Sequence, residues 1–285
     1  MGSEQQVAVA DGRVLGYRWY GAATGPVVLN CHGGLVNGLD VAPFDAAAGE
    51  LGVRLLSPDR PGLGSSTAAP GRTTGDWATD VRALLDALQI QRVAVLGWSM
   101  GGQYALACAA RLPDRVTRTA VVAGCRPLDD AGAFGELNSM DHRLTLLARH
   151  HPQVAGTTFR VLGGVARHTP DVWAHLTLRA AAPSEASTLE ALPDPGIASA
   201  AAAALEGGTG MVEEYRAWVR PWGFELAEIT GPVTFWHGDA DQLVPPAWSR
   251  AMAAAVPQGR LELIAGAGHF LGYTHTADIL GGLTG

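Results

Sequence analysis

The sequence predicts an α/β fold, in which helices flank a mostly parallel sheet. Short apolar runs rich in β-branched residues recur along the chain, as expected for strands buried on both faces of a parallel sheet. Ala- and Leu-rich stretches separate these runs, so that strand and helix alternate. The alternation is interrupted once, after about residue 126, by a long segment that has several proline breaks and no strand pattern.

The individual elements follow from this alternation. We expect the first strand, residues 14–20, to form an antiparallel hairpin with the next strand, and the later strands to be parallel with crossover helices between them. The predicted strands are 14–20, 27–29, 53–56, 93–96, 116–123, 233–236 and 261–264, and the predicted crossover helices are 44–51, 74–88 and 103–112. In the interrupting segment, helices are predicted at 134–149, 153–167, 171–181 and 211–218.

Residues 97–102 carry the strongest chemical signal, Gly-Trp-Ser-Met-Gly-Gly. They lie between a predicted buried strand and a predicted helix, which is the context of a Gly-x-Ser-x-Gly nucleophile elbow. In such a turn Ser99 is strained and exposed, and only glycine at 97 and 101 leaves room for the crossing backbone. We therefore predict that Ser99 is a catalytic nucleophile; the alternative is an ordinary glycine turn.

A nucleophilic serine needs a base, and the base needs a group that orients it. His269 follows the strand 261–264 in a Gly-Ala-Gly-His-Phe run, and two aspartates, Asp239 and Asp241, lie on the loop after the strand 233–236. The chain order Ser, Asp, His is the order used by α/β-hydrolases. The sequence thus offers a triad of Ser99, His269 and one of these two aspartates.

Two further motifs complete a family resemblance. His32-Gly33-Gly34 follows the second predicted strand, and residues 59–66 read Asp-Arg-Pro-Gly-Leu-Gly-Ser-Ser. With the triad motifs, they make the chain resemble the α/β-hydrolase superfamily, in its capped serine-hydrolase (esterase-like) branch, over essentially its whole length. The resemblance implies an eight-stranded sheet with a helical cap inserted after the sixth strand. The parts would be residues 1–126 (core, first part), 127–230 (helical cap, or lid) and 231–285 (core, second part).

The resemblance also implies roles for single residues. The backbone N–H groups of Gly34 and Met100 would form the oxyanion hole. The resemblance favours Asp241 over Asp239 as the acid of the triad. Some relatives place the acid after the sixth strand, where this chain has two aspartates, at 129 and 130. The run from residue 59 is interpreted as a structural turn that supports the site.

The cap would lie over Ser99 and shape the substrate pocket. Large apolar residues there predict a mostly apolar substrate, because small-molecule pockets are largely apolar with few polar groups. At helical spacing, the same residues would also suit the interior of the cap itself. The candidate substrate-binding residues are Leu35, Trp98, Leu137, Met140, Phe159, Trp173 and Trp218.

Composition excludes several classes of function. The formal net charge is −7 and no basic cluster occurs, which argues against a nucleic-acid partner. No stretch approaches the ~20 apolar residues that span a membrane, and the N-terminus lacks the features of a signal peptide. The three cysteines are an odd, sparse number, which predicts buried thiols and a reducing, cytoplasmic location.

All 20 basic residues are arginine, so any mechanism that depends on a lysine is impossible. No Cys or His spacing suits a metal site and no Gly-x-Gly-x-x-Gly follows a strand, so neither a metal nor a cofactor is implied. The expected partner is a small-molecule substrate, and a homo-oligomer is left open.

The sequence therefore predicts a serine hydrolase that cleaves an ester or related acyl bond through an acyl-enzyme. Alternatives with the same triad are an acyltransferase, a C–C bond hydrolase and a perhydrolase; a non-hydrolytic ligand-binding or tailoring relative is a further one. The serine excludes relatives with an aspartate nucleophile, such as epoxide hydrolases. Leu35-Val36 stand where iminopeptidases have Pro-Gly after His-Gly-Gly, which weakens a peptidase interpretation.

Overall fold

A computed structural model describes residues 3–9, 11–129, 131–192 and 196–285 of the chain. Its strands are β1 (Gln5–Ala8), β2 (Val14–Gly21), β3 (Val27–Cys31), β4 (Arg54–Pro58), β5 (Val93–Trp98), β6 (Val116–Val122), β7 (Val233–Gly238) and β8 (Gly259–Ile264). They form one eight-stranded sheet in the order β1-β2-β4-β3-β5-β6-β7-β8. β1, β2 and β4 pair antiparallel, and β4, β3 and β5 to β8 pair parallel. The fold class is the one predicted.

Helices surround the sheet. They are α1 (Asp45–Glu50), α2 (Trp77–Ala87), α3 (Gly101–Arg111), α4 (Ala131–Gly135), α5 (Ser139–His150), α6 (Pro152–His168), α7 (Pro170–Ala180), α8 (Ala186–Glu190), α9 (Ile197–Leu205), α10 (Thr209–Trp218), α11 (Pro246–Ala255), α12 (Leu271–Thr274) and α13 (Thr276–Thr284). Among the described helices, none has the length and hydrophobicity that a membrane span requires.

The sheet is buried on both faces, which explains the unbroken apolar runs. In β3, Leu29 belongs to the core cluster that includes residues of α2, α3 and α11, whereas its neighbour Val28 belongs to a second cluster that includes residues of α1 and α13. Successive side chains of a strand point to opposite faces, so a strand covered on both sides must be apolar throughout. The predicted strands and crossover helices are confirmed, with ends within three residues of those expected. All three cysteines are free and buried, also as predicted.

The predicted hairpin between the strand at 14–20 and the next strand is wrong. β2 pairs with β4, and also with β1, an edge strand whose mostly exposed residues gave no apolar signal. The loop after β2 passes over the start of β4, where the N–H of Ala22 donates to Val53 O (2.8 Å) and that of Arg54 to Pro26 O (2.9 Å). This crossing lets β4 lie between β2 and β3.

Helices α4 to α10 form the segment between β6 and β7, here called the helical insertion. The helix predicted at 134–149 is two helices, because Asn138 begins a new one: its Oδ1 accepts the N–H of Asp141 at 3.0 Å. α9 was not predicted, since its Ala-rich sequence lacks a polar face. It packs tightly on α6 at Gly163, where a Cβ would lie 2.9 Å from that of Leu205.

A buried ion network joins the helical insertion to the sheet. Glu214 on α10 pairs with Arg60 (Oε2 to Nη2, 2.7 Å) and with Arg72, and all three side chains are buried. The Arg60 guanidinium also donates to the carbonyl oxygens of His32 (2.5 Å) and Gly33 (3.0 Å). Arg60 therefore connects α10 to the loop after β3.

Candidate active site

Ser99 occupies a sharp turn between β5 and α3. Its φ of +54° is left-handed, a conformation that costs free energy for a residue with a side chain. A Cβ at position 97 would lie 2.6 Å from the carbonyl oxygen of Gly101, and one at position 101 would overlap the carbonyl oxygen of Cys31. Both positions thus require glycine, and the turn has the geometry of a nucleophile elbow.

Asp241 and His269 meet at the carboxyl ends of β7 and β8. The Nδ1 of His269 lies 2.9 Å from Oδ2 of Asp241. The other carboxylate oxygen accepts the backbone N–H groups of Leu243 (2.8 Å) and Val244 (3.0 Å). The acid is therefore fixed by its own loop, and it in turn orients the imidazole.

A second histidine approaches the same carboxylate. His237 is fully buried at the end of β7, with Nε2 3.1 Å from Oδ2 of Asp241 and 3.1 Å from the carbonyl oxygen of Val244. Its Nδ1 lies 2.7 Å from the hydroxyl of Ser249 on α11. His237 therefore helps to hold the carboxylate of Asp241 within this loop.

Burial and charge act in opposite directions on this pair. Burial alone would raise the pKa of Asp241, but His269 and His237 outweigh it and hold the pKa well below its usual range. Burial alone would lower the pKa of His269, but the charge and hydrogen bond of Asp241 raise it above its ordinary value. The pair therefore favours a proton on the imidazole while the carboxylate stays ionised.

The other candidate acids lie elsewhere. Asp239 is exposed, and its Oδ1 accepts the N–H of Gly266 at 2.7 Å, so that it braces the loop rather than the imidazole. Asp129 is exposed after β6, and Asp130 lies outside the described residues.

Ser99 and His269 line the same cavity. Among the hydrogen bonds of the described residues, none joins the Ser99 hydroxyl to the imidazole. Catalytic hydrogen bonds are often long or poorly aligned without substrate and tighten in the complex. The structure thus brings the two groups to one cavity and joins only the histidine to the acid.

Gly34 and Met100 lie together beside Ser99. Both line the cavity, and a Cβ on Gly34 would be 3.2 Å from Cε of Met100. Within the described part of the chain, neither N–H donates a hydrogen bond to a protein acceptor. Two unpaired N–H groups beside Ser99, one of them at the start of α3, are available to bind an anion in the cavity.

The loop that carries Gly34 is held by buried polar groups. Oδ2 of Asp40 accepts the N–H of Gly33 at 3.0 Å, and Oδ1 accepts the amide of Asn30 at 2.8 Å. Burial, which these donors only partly offset, raises the pKa of Asp40 to about 7. Leu35 has a φ of +59°, so the backbone of this loop is strained next to Gly34.

The cavity over Ser99 has a volume of about 380 Å³ and mostly apolar walls. It includes six of the seven predicted substrate-binding residues: Leu35, Trp98, Leu137, Met140, Trp173 and Trp218. Phe159 is the exception. Its side chain is fully buried in α6 and packs on Tyr215, with ring centroids 5.3 Å apart, so it belongs to the interior of the helical insertion.

Sequence reasoning missed several wall residues. Two of them, Asp141 and Tyr215, have polar side chains that can bind a ligand. A third, Ile197, lies on helix α9, which was not predicted. An acid three residues after Asn138 has the pattern of a helix N-terminus, and a tyrosine in an amphipathic helix has that of a core residue. No local signal indicated that the two would meet.

Two further contacts hold the histidine loop. The indole N–H of Trp98 donates to the carbonyl oxygen of His269 at 3.0 Å. The carboxylate of Glu185, just before α8, accepts the N–H groups of Phe270 and, at 3.0 Å, Ala182. The helical insertion thus contacts the loop of the candidate base directly.

Among the described side chains, no group of three or more His, Cys, Asp or Glu residues has the arrangement of a metal site.

A family model described as the alpha/beta hydrolase fold matches residues 26–276. The chain belongs to the alpha/beta hydrolase fold family. In this alpha/beta hydrolase, Ser99, Asp241 and His269 each lie after the carboxyl end of a parallel strand of the sheet.

Solved structures agree on the fold. This alpha/beta hydrolase superposes on a hydrolase from Pseudomonas aeruginosa PA01 with a TM-score of 0.70 and 23% identity, over 98% of this chain and 96% of that one. For an esterase from Exiguobacterium antarcticum the TM-score is 0.73 at 19% identity, over 99% and 98%. For the enol-lactonase from Burkholderia xenovorans LB400 it is 0.70 at 22%, over 97% and 100%.

Sequence relatives match either a short segment or most of the chain. A homoserine O-acetyltransferase from Natronomonas pharaonis is 47% identical over 64 residues, which are 22% of this alpha/beta hydrolase and 16% of the relative. An uncharacterised protein of Mycobacterium tuberculosis is 27% identical over 257 residues, 87% of this chain and 71% of that protein.

Proposed function

We propose that this protein is a serine hydrolase that cleaves an ester or related acyl bond of a small, mostly apolar substrate. The observation that carries the proposal is the apolar cavity of about 380 Å³, whose wall brings together Ser99, His269, Gly34 and Met100. Its size lies within the usual range for a small-molecule site. Two structural neighbours are named as an esterase and an enol-lactonase, and both names denote cleavage of an ester bond.

In the proposed reaction, neutral His269 takes the proton of the Ser99 hydroxyl as the oxygen attacks the acyl carbon. Asp241 holds the imidazole in the tautomer with Nδ1–H and stabilises the imidazolium that forms. His269 then protonates the leaving oxygen, which departs as an alcohol. Water repeats the sequence on the acyl-enzyme and releases the acid.

The backbone N–H groups of Gly34 and Met100 would bind the oxyanion of each tetrahedral intermediate. Loss of one such donor costs about 3 to 4 kcal/mol of barrier in comparable sites. Arg60 and Asp40, which fix the loop of Gly34 through backbone hydrogen bonds, keep this donor in place.

Labelling with a fluorophosphonate, followed by mass mapping of the adduct, tests the nucleophile. We expect the adduct on Ser99, hydrolysis of short p-nitrophenyl esters, and a loss of about 10⁵-fold or more in kcat for Ser99→Ala. Ser139→Ala, an exposed serine at the start of α5, serves as the matched control and should keep the wild-type rate. Undiminished turnover by Ser99→Ala would exclude the acyl-enzyme route.

Acyl transfer to an acceptor other than water is a second candidate, favoured by the local 47% identity to a homoserine O-acetyltransferase. The two candidates share the acyl-enzyme and differ in the group that attacks it. Product analysis with added alcohols distinguishes them: a hydrolase releases mainly the free acid, and a transferase mainly the new ester.

A further inference from the structure

The cavity has a second group of polar side chains, which the proposed reaction does not use. Asp141 on α5 and Tyr215 on α10 both line it, with Ser99 and His269. The Tyr215 hydroxyl donates a 2.7 Å hydrogen bond to Oδ1 of Asp141. Asp141 is near enough to His269 for their charges to interact. A small ligand bound beside Ser99 can therefore reach this carboxyl group.

The carboxylate of Asp141 has acceptor capacity that the protein does not use. Its second oxygen, Oδ2, accepts the side-chain amide of Asn138 at 2.7 Å. An ionised carboxylate has about four lone-pair sites, and these two neutral donors occupy two of them. The residue is half-buried and forms part of the cavity wall. The remaining sites are thus open to a molecule in the cavity.

Helix capping explains only part of this arrangement. Asp141 is the third residue of α5, where an acid favours the positive end of the helix, and its N–H donates to Oδ1 of Asn138. Such an acid needs neither a cavity nor a tyrosine from another helix. Burial raises the pKa of Asp141, and Tyr215 and Asn138 offset this only partly. In the described ranges, no arginine or histidine forms an ion pair with Asp141.

We propose that Asp141, held by Tyr215, is a binding subsite for a hydrogen-bond donor, a hydroxyl or a protonated amine, on an otherwise apolar substrate. The inference rests on the proposed function, since the same cavity would hold the scissile bond. A buried carboxylate without enough donors is costly, and a donor on the ligand compensates it, whereas an alkyl group does not. The substrate class is then a small apolar ester that carries one hydroxyl or amino group.

Binding to the Ser99→Ala protein tests this without any reaction. Three probes with equal numbers of heavy atoms, hexan-1-ol, hexylammonium and methyl pentyl ether, are each titrated into the protein. Binding is followed by the change in tryptophan fluorescence, to which the cavity residues Trp98, Trp173 and Trp218 contribute. We expect the alcohol or the ammonium ion to bind about tenfold or more tightly than the ether, because only they donate a hydrogen bond to a carboxylate. The stronger of the two identifies the donor.

Asp141→Leu, made in the Ser99→Ala protein, should reduce the preference for the donor probe to about one, because leucine has a similar shape and no hydrogen-bond acceptor. The matched control is Asp171→Leu at an exposed acid in the first turn of α7, which should keep the preference. Equal affinity of all three probes for Ser99→Ala overturns the inference, as does a preference that persists in Asp141→Leu. If Asp141→Leu does not fold, the three-probe comparison alone decides. Fluorophosphonate labelling of the wild-type chain tests the proposed function separately.

Discussion

Two aspartates lie two positions apart on the loop after β7 and have different surroundings. Asp241 points inward, where two backbone N–H groups and two histidines surround its carboxylate. Asp239 is exposed and accepts one N–H, from Gly266. Residue type alone does not separate them; the burial of one and the exposure of the other do.

Asp241→Asn should lower kcat by about 10³- to 10⁴-fold, because the imidazole loses the carboxylate that fixes its tautomer. In the proposed mechanism His269 acts in its neutral form, so the wild-type rate should rise with pH through a midpoint above 6.5, the direction in which Asp241 raises the pKa of His269. In the variant that midpoint should move to lower pH, since burial is then opposed only by the smaller contributions of Glu185 and Asp141. The pH dependence of kcat/KM measures both effects.

The control for this prediction is Asp239→Asn, the same change on the same loop. We expect it to keep the wild-type rate and pH profile within about twofold. A large loss of rate in Asp239→Asn, with little change in Asp241→Asn, would show that Asp239 and not Asp241 is the acid.

Asp40 provides a test through stability. Its pKa of about 7 in the folded state lies above that of an aspartate in an unfolded chain, so the folded protein holds a proton between about pH 4 and 7 that the unfolded chain has released. The free energy of unfolding should therefore fall as pH rises across this window, by at most about 1.4 kcal/mol per pH unit from this group. Asp40→Asn should flatten that slope in urea unfolding series. An unchanged slope would contradict the assignment.

A short element of the helical insertion contacts the loop that carries His269. The 3₁₀ turn Pro183–Glu185 carries the carboxylate that accepts the N–H of Phe270, next to His269. A Cβ on Gly268 would lie on this carboxylate, which explains a glycine there. The turn therefore couples the helical insertion to the conformation of the histidine loop.

Glu185→Gln should have two effects. One of the two N–H groups loses its acceptor, which should destabilise the fold by about 1–3 kcal/mol. The charge of Glu185 also contributes to the raised pKa of His269, so the midpoint of the pH–rate profile should move to lower pH, less than in Asp241→Asn. Urea unfolding and the pH profile of kcat/KM measure the two effects.

Glu190→Gln, an exposed position on α8, is the matched control and should change neither stability nor the pH profile. If Glu185→Gln also changed neither stability nor the pH profile, its contact with the histidine loop would contribute to neither.

On the scale of the whole molecule, one ion network links the helical insertion, the segment with Arg60 and Arg72, and the loop that carries Gly34. Glu214 has no exposed surface, and its two arginine partners come from the segment between β4 and α2. Arg60 also packs over the ring of Tyr104, 4.4 Å from its centroid. The network therefore connects α10 to the backbone next to Gly34.

Glu214→Gln should destabilise the protein by about 3–5 kcal/mol, because it leaves buried arginines without their counter-charge. Glu213→Gln is the control on the same helix: that residue pairs with Arg216 at the surface, and the change should cost about 1 kcal/mol or less. Urea denaturation of both variants measures the difference. Equal losses of unfolding free energy in the two variants would show that the buried network contributes no more to stability than the Glu213 pair.

The fold and the elbow could be predicted because their signals are local. The apolar run before Ser99 and the glycines at 97 and 101 are readable within one short segment. The pairing of β2 with β4 could not be predicted, since it depends on a loop crossing that no residue pattern marks. The contact of Asp141 with Tyr215 joins helices 74 residues apart. Its existence depends on how those helices pack.

The parallel pairing of β6 and β7 limits how this enzyme can be miniaturised. The two strands are neighbours that run in the same direction, so the chain must travel back along their full length between them. A connection of that kind takes a dozen or more residues, usually a helix. A version without the helical insertion could not be made by splicing Ala123 to Pro232, because the direct splice would make β7 run antiparallel to β6. It would need a designed linker helix in place of the removed segment.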